Sequence, residues 1–195
     1  RKNALSIVKA IHGTSYSLVL VGGEKEYAKK IHAYVEKHGL EKQVFFLKDI
    51  HVTELAIIYQ LATVFCYPAI CEGFGIPIIE ALFSKTAVIT SFGSCFPEAA
   101  GPDSVYVDPL DVDSIRKEFQ RLFTDDDLRK TIAEKGYAFV QKFTDPKVAE
   151  NVYQVYSSLL KSDKKEMSEY STLGMNKISA LLITYNEIHN LDEIL

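Results

Sequence analysis

The stretch "VFCYPAICEGFGIPIIEALFSKTAVITS", Val64 to Ser91, decides how the chain is read. It opens on an apolar run that Pro68 stops, crosses a loop holding Gly73 and Gly75, enters "IPIIEALFS" and returns to an apolar run, "AVITS". Short β-rich runs on either side of a helical segment make a strand–helix–strand unit, and such units build parallel sheets. Pro77 suits the first turn of the helix. Gly73 and Gly75 permit positive φ and close approach of a ligand to the backbone. The same order repeats around this unit. "YSLVLVGG" (Tyr16–Gly23) reads as a buried strand ending in a tight turn, "EYAKKIHAYVEKHG" as an amphipathic helix, and "QVFFL" as the next strand. "TELAIIYQLA" follows as a helix with Thr53 as its N-cap, and "FPEAAG" and "SVYVD" supply a helical turn and a fifth strand. The expectation is an α/β domain: a Rossmann-like parallel sheet with helices on both faces, and ligands at the strand ends.

Beyond Asp108 the pattern turns helical, with "DVDSIRKEFQRLFTD", "DDLRKTIAEKGYAFVQKF" and "DPKVAENVYQVYSSLL" as three helices, Gly136 a weak point in the second. Acidic residues at their starts suit the positive ends of helices. The first residues, "RKNALSIVKAIHG", are already helical in pattern, which suggests a preceding strand outside the sequence. "KSDKKEMSEYSTLG" (161–174) is polar and reads as a linker or solvated tail. Residues 175–195 read as a strand, a loop and the start of a helix.

The 195 residues carry a net charge of −4, so no basic excess points to nucleic acid or an anionic membrane surface. No apolar run is long enough to span a bilayer. Cys66, Cys71 and Cys95 are expected as small buried hydrophobes of a reducing compartment, and no Cys–His cluster has zinc spacing.

Glu72 and Glu80 stand eight positions apart around the Gly–Phe–Gly turn. The amides entering the helix at Ile76 lack internal partners and form an anion site, with diphosphate as the common biological anion of suitable size. An ionised carboxylate only accepts hydrogen bonds, so Glu80 suits the vicinal hydroxyls of a ribose, and Glu72 the hydroxyls of a second group beyond the phosphates. Together these describe a nucleotide sugar. Each feature also has an ordinary structural reading, since an acid in a first helical turn and glycines in a strand-to-helix loop are commonplace.

"EGFGIPIIEA" resembles the Glu-x7-Glu signature of the retaining glycosyltransferases of family 4, which have the two-domain GT-B fold. "FCYPAICEGFGIPIIEALFSKTAVITSFGSCFPEAAG", "VYVDPLDVDSI" and "KGYAFVQKFT" resemble that family's segments in order, over residues 1–160. The resemblance implies that 1–160 is the C-terminal, donor-binding half, truncated at its N-terminus and lacking the acceptor domain, so that alone it binds donor weakly and transfers nothing. Glu80 would hold the ribose. Glu72, as the catalytic-site acid, would contact the transferred sugar. Gly73, Phe74, Gly75 and Ile76 would line the donor, with backbone contacts to sugar and phosphates. Lys2 would pair with the diphosphate beside an arginine upstream of this sequence; its alternative is a solvated terminus. Pro97 and Glu98 match as loop-shaping residues. Two departures stand out, because the family often has Gly at Lys48 and "GTPV" where "KTAV" (Lys85–Val88) occurs.

The resemblance further implies metal independence, in keeping with the lack of an Asp-x-Asp donor loop, and no cofactor besides the nucleotide-diphosphate sugar as donor substrate. It implies retention of anomeric configuration and a glycan or lipid-linked acceptor. The setting would be cytoplasmic polysaccharide assembly at the inner face of the membrane, with peripheral membrane association of the full-length protein. "ISALLITYNEIHNL" resembles the opening of a family 2, GT-A transferase, with Thr184 to Glu187 at the nucleotide pocket; alternatively it completes the first domain. Competing readings are a GT-B nucleotide-sugar epimerase and a non-catalytic partner subunit.

Overall fold

A computed structural model describes residues 2–22 and 26–170, with side chains as far as residue 160. The stretch 171–195, including the tail likened to a second transferase, lies outside the described residues. Contacts divide the chain into two units, 1–147 and 148–195.

In the first unit α1 (Ala4–Ile11), β1 (Leu18–Val21), α2 (Glu26–Lys37), β2 (Val44–Leu47), α3 (Val52–Leu61) and β3 (Val64–Tyr67) alternate. They are followed by α4 (Ile76–Phe83), β4 (Ala87–Ser91), α5 (Phe96–Ala100), β5 (Val105–Val107), α6 (Val112–Thr124) and α7 (Asp126–Val140), and a 3₁₀ turn at Gln141–Phe143. All strand pairs are parallel, as the alternation with helices requires. The strands form two ladders, β1–β2 and β3–β4–β5, rather than the single sheet expected. Side-chain packing joins the two. Leu18 and Leu20 of one ladder and Val64, Cys66 and Ile89 of the other meet the same apolar cluster, built by Ile7, Val8 and Ile11 of α1 with Ile115 and Leu122 of α6.

β4 explains the layering. All five of its residues are buried, so both faces are covered. Because successive side chains alternate, Ala87 and Ile89 enter the α1–α6 cluster while Val88 enters a second cluster with Ile78, Leu82, Phe96 and Val140. Tyr59 and Tyr67 belong to that second cluster, so the loop after β3 lies on the side packed by α4, α5 and α7.

Local chemistry differs from expectation in three places. The N-cap of α3 is His51, whose imidazole accepts from the Thr53 amide at 3.4 Å while the Glu54 carboxylate accepts from the His51 amide at 2.9 Å, a reciprocal cap. Gly136 is a close-packing point in α7: a Cβ there would lie 2.5 Å from Leu82 Cδ2 of α4. Lys85 takes φ 58°, which accounts for glycine as an alternative at that site, and its ammonium lies over the Tyr137 ring at 4.8 Å.

α8 (Asp145–Tyr170) starts in the first unit and makes up the described part of the second. It carries helix through residues 161–170, which composition reads as linker. Val148, Val152, Val155, Tyr156 and Leu159 share one face of it, and all are exposed. Among the described residues no helix is long and apolar enough to cross a membrane.

Candidate functional site

The loop between β3 and α4 is held on its far side by three side chains of the next strand and turn. Thr90 Oγ1 donates to Tyr67 O at 3.0 Å, Ser91 Oγ to Ala69 O at 2.7 Å, and Cys95 Sγ to Glu72 O at 3.5 Å. Thr90 and Ser91 are buried, so the first two of these bonds are shielded from water. Sequence reasoning missed them; the signal was the small hydroxyl and thiol residues Thr90, Ser91 and Cys95 at the end of an otherwise apolar strand and in the turn after it. Of the cysteines, Cys71 is exposed, contrary to the expectation of three buried hydrophobes. Cys66 and Cys95 are half-buried, and desolvation of Cys66 by its packing pushes its thiol well above the usual range.

Gly75 is the N-cap of α4, at φ 94°. A Cβ there would lie 3.2 Å from Ile78 Cδ1 and 3.5 Å from the Ala99 methyl, so both conformation and space call for glycine. Gly73 differs from expectation: its φ is not in the left-handed region and a Cβ would meet nothing within 4 Å. Pro77 has no amide hydrogen, and the Ile78 amide returns to Gly75 O at 2.9 Å. Among the described residues the Gly75 and Ile76 amides, at the electropositive start of α4, then have no partner within the helix. Ile76 is exposed at this edge, and the Phe74 ring meets Phe143 edge-on at 5.5 Å, which fixes the turn against the region after α7.

Both glutamates are tethered by tyrosines. Tyr67 Oη donates to Glu72 Oε2 at 2.6 Å, and the Gly73 amide donates to Oε1 at 3.1 Å. Tyr59 Oη donates to Glu80 Oε2 at 3.0 Å. Phe65 stands between the two tyrosines, stacked on Tyr67 at 5.8 Å and edge-on to Tyr59 at 5.2 Å. Phe65 and Tyr67 are two apart on β3 and share a face, so the two carboxylates hang from the ends of one aromatic row. Burial first, and then the charge of Glu80, raises the Tyr59 phenol above its ordinary range, so it stays a donor.

Lys2 lies at the same place: its ammonium is 5.9 Å from the centre of the Tyr67 ring. The neighbouring Asn3 donates from Nδ2 to Pro109 O and accepts from Ser6 Oγ at 2.9 Å, which anchors the segment. The structure therefore brings Lys2 and Glu72 to one tyrosine, with Glu80 at the far end of the row. Two clefts of about 420 and 480 Å³ lie elsewhere, one lined by His32, Glu36 and Phe46, the other by Phe92, Arg121 and Lys135. Among the described residues no group of His, Cys, Asp and Glu is arranged to hold a metal ion.

Comparisons with known proteins bear on the family and the fold. The O-antigen chain mannosyltransferase RfbU of Salmonella typhimurium is 39% identical over 112 residues, 56% of this chain and 32% of RfbU. The chain thus spans about a third of the length of the curated relative it matches there. Sucrose-phosphate synthase from Thermosynechococcus elongatus superposes with a TM-score of 0.75 at 27% identity, over 83% of this chain and 43% of that one. The C-terminal domain of the group 1 glycosyl transferase LpcC from Francisella tularensis superposes with a TM-score of 0.65 at 27% identity, over 73% of this chain and 79% of that domain. The family described as "Glycosyl transferases group 1" matches residues 1–139, the span that holds Tyr59, Tyr67, Glu72, Gly75 and Glu80, and the chain belongs to that family.

Proposed function

We propose that this chain is the donor-binding half of a retaining, family 4 glycosyltransferase of the GT-B type, and that its donor is a nucleoside diphosphate sugar. The observation that carries the reading is the pair of tyrosine-tethered carboxylates, Glu72 and Glu80, on either side of the glycine-capped start of α4. Glu80 accepts hydrogen bonds from the ribose hydroxyls. Glu72 accepts from hydroxyls of the transferred sugar. The Gly75 and Ile76 amides and the Lys2 ammonium face the diphosphate, where negative charge builds as the glycosidic bond to phosphate breaks. Donors placed in advance at that position stabilise the leaving group without reorganising during the reaction.

In this reading the acceptor, a glycan or lipid-linked sugar, approaches from the leaving-group side, so the anomeric configuration is retained. The acceptor is held by a further domain, and this chain alone transfers no sugar. RfbU is named for mannose, which supports a mannosyl donor here. The reaction takes place in the cytoplasm at the inner face of the membrane, and residues 175–195 open a second, family 2 transferase.

Calorimetric titration with GDP-mannose and with UDP-glucose tests the donor site. One of them binds the wild-type chain, and Glu80→Ala weakens that binding by about 1.5–3 kcal/mol, the worth of a charge-assisted hydrogen bond. Equal affinity in the two proteins, or no binding of either nucleotide sugar, overturns the reading.

A further inference from the structure

We infer that Tyr59 is a positioning residue for Glu80: its phenol fixes the carboxylate in the orientation that receives a vicinal diol, and so sets the preference of the site for a ribonucleotide. The inference rests on the donor reading given above and adds a residue from a different element, α3, to the site.

Tyr59 is itself held at three points. Its hydroxyl donates to Glu80 Oε2 at 3.0 Å, its ring meets Phe65 edge-on at 5.2 Å, and its carbonyl accepts from Thr86 Oγ1 at 2.6 Å. Tyr59 and Thr86 are both buried, so the tether belongs to the packed interior and not to a mobile surface contact. Glu80 is fixed at its main chain by α4, where its carbonyl accepts from the Ser84 amide at 3.1 Å and from Ser84 Oγ at 2.9 Å. Only the rotations of its side chain are left to set, and the Tyr59 hydroxyl sets them.

A carboxylate offers about four acceptor positions on two oxygens. Tyr59 occupies one on Oε2, and Oε1 has no hydrogen-bond partner among the described residues. The carboxylate is thus oriented by one oxygen and open at the other. Its ordering is completed before the ligand arrives, which is how preorganisation raises affinity. Phenylalanine at position 59 would keep the ring packing and remove the tether alone.

The test compares UDP and GDP with their 2′,3′-dideoxy forms by calorimetry, on wild type, Tyr59→Phe, Glu80→Ala and the double variant. The readout is the ratio of ribo to dideoxy affinity for whichever base binds. Glu80→Ala brings the ratio near unity. Tyr59→Phe lowers it about three- to tenfold, the worth of one hydrogen bond, and leaves dideoxy affinity unchanged. In the Glu80→Ala background Tyr59→Phe has no further effect on the ratio. A ratio kept by Tyr59→Phe but lost in Glu80→Ala overturns the role of Tyr59 and leaves that of Glu80. Equal loss for ribo and dideoxy forms makes Tyr59 merely structural and also overturns it. No binding of either nucleotide to wild type, or a ratio untouched by Glu80→Ala, overturns the donor reading itself, and the inference with it.

Discussion

Gly75 shows how one residue fixes the site. Its φ of 94° lies where an L side chain is disfavoured, and the space a methyl would need is taken by Ile78 and Ala99. Gly75→Ala is expected to lower stability by about 1–2 kcal/mol in urea denaturation, the penalty of a left-handed residue with a side chain. It is also expected to weaken nucleotide-sugar binding, because the turn must shift to relieve the contact. An unchanged denaturation midpoint would show that the turn is not strained by a methyl. The two glycines of the motif are alike in the sequence and different in the structure: Gly73 has an unstrained φ and open space around it. Which glycine needs its missing side chain depends on what packs beside it, here a methyl from α5 contributed 24 positions later.

At the scale of elements, apolar periodicity marked the strands and helices of the first unit, while the α3 cap and the helix through 161–170 escaped it. "AVITS" is β4 residue for residue, and the helix expected from Ile76 begins there. Packing between elements was less legible. Gly136 looks like a flaw in a helix by propensity, yet it is where α7 crosses α4 over the fully buried Leu82. Gly136→Ala gains about 1 kcal/mol of helix propensity and meets an overlap worth about 1–3 kcal/mol. The net effect in denaturation is a loss of stability. In a Leu82→Ala background, where the obstructing methyl is gone, the same change becomes stabilising. A stabilising Gly136→Ala in the wild-type background would mean that the Leu82 methyl gives way to the added carbon and the contact is not a tight one. The tyrosine tethers were equally hidden: Tyr59 and Tyr67 read as apolar members of a helix and a strand, and only the fold brings their hydroxyls to the two acids.

For the molecule as far as it is described, five parallel strands between helices follow from the alternation in the sequence, whereas their grouping into two ladders does not. Which strands pair is decided by where the helices pack, and here one apolar layer of α1 and α6 serves both ladders. The outcome is a ledge at the ends of β3 and β4, where an acid, a glycine-capped helix and a second acid follow one another, with Lys2 brought from the other end of the domain. The central claim is that a nucleoside diphosphate sugar lies along this ledge. Hydrogen–deuterium exchange of the chain with and without saturating GDP-mannose or UDP-glucose tests it most directly. The account predicts slowed exchange of amides between Tyr67 and Glu80 on adding the donor that binds. Slowed exchange confined to the cleft beside His32 and Phe46, or to that beside Phe92 and Lys135, would contradict it.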